Sequence, residues 1–157
     1  MIREATMGDL ESLAVFCFEC EASMHWQDHG IRGDVEGVVS TLVGLIGARD
    51  ALLLVVELGG QIVGACAVVL QGFSWSRSAL IASEMIWHMR PSFPTGPAKN
   101  RWLLRLMDRA QDWVRASGAS VFKVNTKWGD ASLGAALERR GFAPFETVYL
   151  QGVIHGD

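Results

Sequence analysis

The sequence predicts a mixed α/β (α+β) domain: one central mixed sheet with helices packed on both faces. Three observations carry that reading. Strand-like and helix-like apolar runs follow one another along the whole chain in the order β, α, α, β, β, β, α, β, α, β. No repeat or low-complexity linker interrupts them, and 157 residues suit one domain, 1–157, with a proper core. Half the residues are hydrophobic and 20% are charged, the balance of a globular chain.

The elements follow in order. "IREAT" alternates and ends at a polar turn, so it reads as a strand. "GDLESLAVFCFECEASMHW" spaces Leu10, Leu13, Phe16, Cys17 and Cys20 as the buried face of a helix, which "HGIRG" breaks. "DVEGVVSTLVGLIGA" gives a second helix, with Asp34 as N-cap and Val35, Val38, Leu42, Leu45 and Ile46 inward. "ALLLVVEL", a Gly59-Gly60 turn and "QIVGACAVVLQG" form a hairpin. "ALIASEMIWHM" is apolar on both faces and reads as a central strand.

Residues Pro97 to Ala116 form the strongest helix, with Trp102, Leu103, Leu106, Ala110, Trp113 and Val114 at helical spacing and Gly118 as its stop. "SVFKVN" is a further strand, "ASLGAALERR" a short helix ended by Gly141, and "FETVYLQGVI" a last strand.

Composition excludes several classes of function. Net charge is -3 and the 14 basic residues form no long block, so a nucleic-acid partner is not expected. No apolar run approaches the length of a membrane helix, so no membrane partner is expected either. The first twenty residues include Glu4, Asp9, Glu11 and Glu19 without a cationic lead, which predicts no signal peptide and a cytoplasmic location. Cys17 and Cys20 have the C-x-x-C spacing of redox or zinc sites. No second pair completes a zinc site, and both lie in a helical pattern where small buried thiols are common.

The stretch "RPSFPTGPAKNRWLL", Arg90 to Leu104, joins a strand to a helix. It holds glycine, small residues and cations, as a loop gripping a phosphate should. It also holds three prolines, which cannot donate backbone hydrogen bonds. A helix start presents unsatisfied N–H groups and a positive dipole end, together a site for pyrophosphate. The other reading is an ordinary junction, with Pro and Gly serving only as start signals.

With this order of elements, "MIREATMGDL", "VVELGGQIVGACAVV", "WVRASGA" and "ALERRGFAPFETVYL" resemble small stand-alone members of the GCN5-related N-acetyltransferase (GNAT) superfamily, of a kind frequent in bacteriophages. The resemblance covers essentially the whole chain. It implies a GNAT-like sheet of about six to seven strands, acetyl-CoA as cofactor, no metal, and transfer of an acetyl group to a small-molecule or protein amine. A homodimer is compatible with it.

The family's loop runs R/Q-x-x-G-x-G/A ahead of a pair of aliphatics. Counted back from Leu103-Leu104, its positions fall on Thr95, Ala98 and Asn100, with Gly96 as the glycine that often follows the cation. The leading cation is absent, and Pro97 removes an N–H; Lys99 and Arg101 offer charge instead. The family's pantetheine arm lies along the fourth strand, which the resemblance maps to Ile86, Trp87, His88 and Met89. Their amides are the expected oxyanion donors. Asn125, ending the fifth strand, would bond the pantetheine amide or cap that strand.

Glu84 and His88 are four apart in a strand and are expected on one face. A carboxylate in an apolar strand has its pKa raised toward the range of a general base. The plainer reading is a Glu satisfied by a donor across the sheet. His25 and His29, with Asp28 adjacent, have a metal-ligand spacing, but the resemblance places them with Trp26 in a substrate pocket, which Trp75 would also line. The family's acid, a Tyr four residues before the Gly of "ERRGF", is Leu137 here, so Tyr149 is the remaining candidate. The alternative is a catalytically degenerate GNAT-like fold that binds or builds, as among other proteins of a phage virion.

Overall fold

The computed structural model describes residues 1–24, 26–29, 31–126 and 131–145. Its strands are β1 (Ile2–Glu4), β2 (Ala51–Leu58), β3 (Gln61–Gly72), β4 (Leu80–Met89) and β5 (Val121–Lys123). Its helices are α1 (Leu10–Met24), α2 (Val35–Leu45), α3 (Pro97–Ser117) and α4 (Ala131–Glu138). Among the described residues these strands form one five-stranded sheet in the order β1-β2-β3-β4-β5. All neighbours are antiparallel except β4 and β5, which run parallel.

The continuous apolar run of β2 is explained by burial on both sides. Leu52, Leu54 and Val56 face one core with Leu103, Leu106, Met107, Ala110 and Val114 of α3. Leu53 and Val55 face the other, against Leu13, Phe16 and Cys20 of α1 and Leu42 and Leu45 of α2. Leu13 and Phe16 are fully buried. Each such side chain is worth about 1.5–3 kcal/mol in area removed from water. The sheet is therefore the middle layer, with α1 and α2 on one face and α3 and α4 on the other.

Local signals account for the boundaries. Gly59 and Gly60 have φ of 58° and 77°, the left-handed pair that a two-residue hairpin turn needs. Asp34 caps α2, its carboxylate accepting from Gly37 N–H at 2.7 Å. Gly118, with φ 75°, closes α3.

The N-terminus is tied down by an ion cluster that no spacing foretold. Arg3 donates two bonds to Asp9, at 2.7 and 2.8 Å, and a third to Glu57 at 2.8 Å. Asp9 also accepts from the backbone and hydroxyl of Thr6. Hydrogen bonding from the Arg3 guanidinium holds the Asp9 carboxyl well below the usual carboxylate range.

Three expectations need correction or a limit. Val35 is not inward but 66% exposed; the full burial in α2 comes only in its later turns, at Leu42 and Leu45. The strand expected over "SVFKVN" is paired only from Val121 to Lys123. The last expected strand lies almost wholly outside the described residues.

Candidate active site

The site is built around an irregularity in β4. Ala67 of β3 pairs with Ile86, but the next residue, Val68, pairs with Glu84. Met85 is thus an extra, half-exposed residue: a β-bulge. An inserted residue reverses the side-chain alternation beyond it. Glu84, opposite Val68, belongs to the face covered by α3 and α4, whereas Ile86 and His88, opposite Ala67 and Ala65, belong to the face of α1 and α2. Glu84 and His88 are therefore on opposite faces. The spacing of four would have put them together only in an unbroken strand.

Glu84 is half-buried, and burial pushes its carboxyl above the ordinary glutamate range, against two opposing hydrogen bonds from Asn125. The backbone N–H of Asn125 donates to Glu84 Oε2 at 3.2 Å. Beyond Lys123 the β4–β5 ladder stops, so β4 from Glu84 onward has no parallel partner among the described residues.

Alternation decides which backbone groups face the open side. The Arg90 amide donates to Val63 of β3 at 2.8 Å, and Ala65 pairs with His88. With a period of two, the amides of Ile86 and His88 point to β3, and those of Trp87 and Met89 point to the open side. Of the four amides expected as donors, those of Trp87 and Met89 face the open side. The Trp87 side chain turns the other way and is buried, its indole Nε1–H donating to the Leu103 carbonyl at 2.8 Å. This bond ties β4 to α3, and no sequence signal marked it.

The β4–α3 loop leads to a helix start of the expected kind. Gly96 is the N-cap, with φ 109° and ψ -158°, a conformation essentially reserved for glycine. A Cβ built there would meet nothing within 4 Å, so the backbone stands clear for a ligand. Pro97 opens α3, and the Asn100 amide is already spent on the Gly96 carbonyl at 3.2 Å. The helix geometry leaves the N–H groups of Ala98 and Lys99 for a ligand, where a non-proline start would offer three. Thr95, Ala98 and Arg101 are exposed, and Lys99 and Asn100 are half-buried. These features fit a coenzyme A pyrophosphate at the helix start, with fewer donors than such a site can hold.

Arg90, at the head of the loop, is occupied elsewhere. Its guanidinium donates to the Ile62 carbonyl at 2.7 Å and to Glu19 of α1 at 3.1 Å. Trp75 is 90% exposed on the β3–β4 loop, edge-on to Phe73, at the end of β4 away from this helix start. Trp26 and His29 lie in a short 3-10 helix over residues 26–29. Their side chains, and the whole of His25 and Tyr149, lie outside the described residues. Two surface hollows, of about 240 and 310 Å3, share Glu4, Leu52 and Trp113 near the far edge of the sheet. Neither is lined by Glu84, the β4 edge or the start of α3, so the candidate site rests on chemistry rather than on concavity.

No protein-family model matches the chain, and no curated protein matches it in sequence. Solved structures do match. A transcriptional regulator from Bacillus halodurans C-125 is 20% identical, with a TM-score of 0.69 over 96% of this chain and 98% of that one. A predicted acetyltransferase from Clostridium acetobutylicum, solved with acetyl-CoA, is 16% identical, with a TM-score of 0.66 over 96% and 95%. A GNAT family acetyltransferase from Staphylococcus aureus is 15% identical, with a TM-score of 0.63 over 98% of each chain. Likeness at these identities shows the fold, which is the mixed α+β fold expected. The five strands described are slightly fewer than the six to seven expected.

Proposed function

We propose that this chain, which shares its fold with GNAT family acetyltransferases, is an acetyl-CoA-dependent N-acetyltransferase acting on a small-molecule or protein amine. One observation carries the reading: β4 and β5 stop pairing where a bulge follows a half-buried carboxylate, and β4 then leads to a helix start capped by glycine. Acetyl-CoA, when bound, supplies an activated thioester.

The chain's own residues divide the remaining work. The Ala98 and Lys99 amides, the α3 dipole and the side chains of Lys99 and Arg101 hold the pyrophosphate. Thr95 and Asn100 flank it. The open backbone edge at Trp87 and Met89 receives the pantetheine arm as it would another strand. Glu84, with its raised pKa, takes a proton from the acceptor amine directly or through water. His25, Trp26, His29 and Trp75 would serve the acceptor amine, and Tyr149 or water would supply the proton that a departing thiol needs. The location is the cytoplasm.

A second reading has its own support. Leu137, where the resemblance implies a tyrosine, is 5% exposed in the α3-side core, so this position packs and offers no hydroxyl. Pro97 and the uncharged Thr95 weaken the phosphate site in the same direction. A binding or virion protein with catalysis lost is the alternative.

Ligand binding separates these readings from an empty fold. Ligand at a hundred times its dissociation constant stabilises by about 2.7 kcal/mol. At about 2–4 °C per kcal/mol for this size, acetyl-CoA should raise the melting temperature by several degrees. Hydrogen exchange should slow across residues 95–101. No shift at millimolar coenzyme A, with no protection of that loop, would sink the proposal.

A further inference from the structure

We propose that Asn125 is a positioning residue for Glu84, holding its carboxylate at the point where β5 leaves β4. The inference rests on the reading of Glu84 as the general base. The Ser120 amide donates to the Leu80 carbonyl at 2.8 Å. Continued with a period of two, the strand would turn the amides of Phe122 and Val124 toward β4 and that of Asn125 away from it. Yet the Asn125 amide donates to Glu84 Oε2 at 3.2 Å. The chain has turned after Lys123, and a side-chain carboxylate there accepts the bond. The Asn125 side chain adds a second bond to the same group. Asn125 itself is exposed, so its side chain is not there to fill the core. One residue thus fixes the carboxylate at the point where the β4–β5 ladder has stopped.

Both bonds favour the ionised carboxylate, and burial opposes it. Of the groups around it, Cys66 on β3 is a fully buried thiol pushed well above its ordinary value by burial and then by Glu84. Lys123, exposed on β5, is paired in register with Ser83, beside Glu84. His88 is on the opposite face of β4.

The test follows the Glu84 carboxyl by 13C NMR titration, with the acidic limb of kcat/KM measured in parallel on the full chain. Asn125→Ala should move the midpoint upward by on the order of one pH unit, since a bond to the charged form is lost. Asn125→Asp, the same shape with a like charge, should move it at least as far, and Asn125→Ser should recover part. A purely structural role would change the melting temperature and leave the midpoint still. An unmoved midpoint in folded Asn125→Ala overturns the proposal, and if that variant does not fold, an unmoved midpoint in Asn125→Asp does so. A midpoint that moves while the parent transfers no acetyl group upholds the grip of Asn125 on Glu84 and overturns the transferase reading instead.

Discussion

Two carboxylates in this chain are displaced in opposite directions, and the contrast shows how neighbours decide what a residue does. Asp9 is held ionised by Arg3 and Thr6. A depressed native pKa contributes stability above the unfolded value of about 3.9, and the contribution is lost as pH falls toward the native value. Asp9→Asn should therefore cost about 2 kcal/mol at pH 7, the size of a bond between charged groups. In urea unfolding the gap to the parent should narrow as pH drops from about 5 to 3. A gap independent of pH would show that the ion cluster is not its source.

Glu84 runs the other way. Its pKa is raised in the fold by burial, so its contribution is fully present below the ordinary glutamate value of about 4.3 and declines as pH rises through the native value. Glu84→Gln should thus gain stability relative to the parent as pH increases, measured as a rising difference in melting temperature. A difference that falls with pH would mean a carboxylate stabilised in its charged form, which is a structural partner rather than a base. Glu84 was legible in the sequence, because a charge in an apolar strand stands out. Its partner was not, since Asn125 is 41 residues away in the chain. Nor was the pairing of Arg90 with Glu19 and Ile62, because spacing carries no information about contacts made only in the fold.

At the scale of elements, the start of α3 and the bulge in β4 set the site. Gly96 has a backbone conformation that costs another residue about 1–3 kcal/mol. Gly96→Ala should destabilise the chain by that amount and weaken coenzyme A binding. Pro97→Ala should return one N–H to the helix start and tighten binding by about tenfold, the lower end for a charge-assisted bond. Calorimetric titration of both variants checks the pair. Equal affinities in the parent and both variants would place the pyrophosphate elsewhere. This loop was readable because glycine and proline have fixed backbone consequences. The bulge was not: "ASEMIWH" carries no mark of the extra residue, and Met85 is revealed only by its lack of a partner on β3. That single residue is why an expected Glu84–His88 face does not exist.

At the scale of the whole molecule, periodicity and turn residues were enough to order strands and helices, since each layer must bury its own apolar face. Both cores formed on the sides of the sheet where those patterns required them. What periodicity left open is where β5 stops pairing with β4, and the free edge of β4 depends on that point. No helix among the described residues is long and apolar enough to cross a membrane.

Acetyl transfer beside Glu84 is what separates an enzyme from a fold that only binds. Release of free thiol from acetyl-CoA, followed against a panel of small amines and peptides for the parent and Glu84→Gln, tests it most directly. The parent should release thiol slowly, in a reaction dependent on both acetyl-CoA and an amine. Glu84→Gln should be on the order of 10²- to 10⁴-fold slower, with coenzyme A binding nearly unchanged. Release by the parent no faster than background with every amine, while it still binds coenzyme A, would contradict the claim and leave a fold that binds without catalysing.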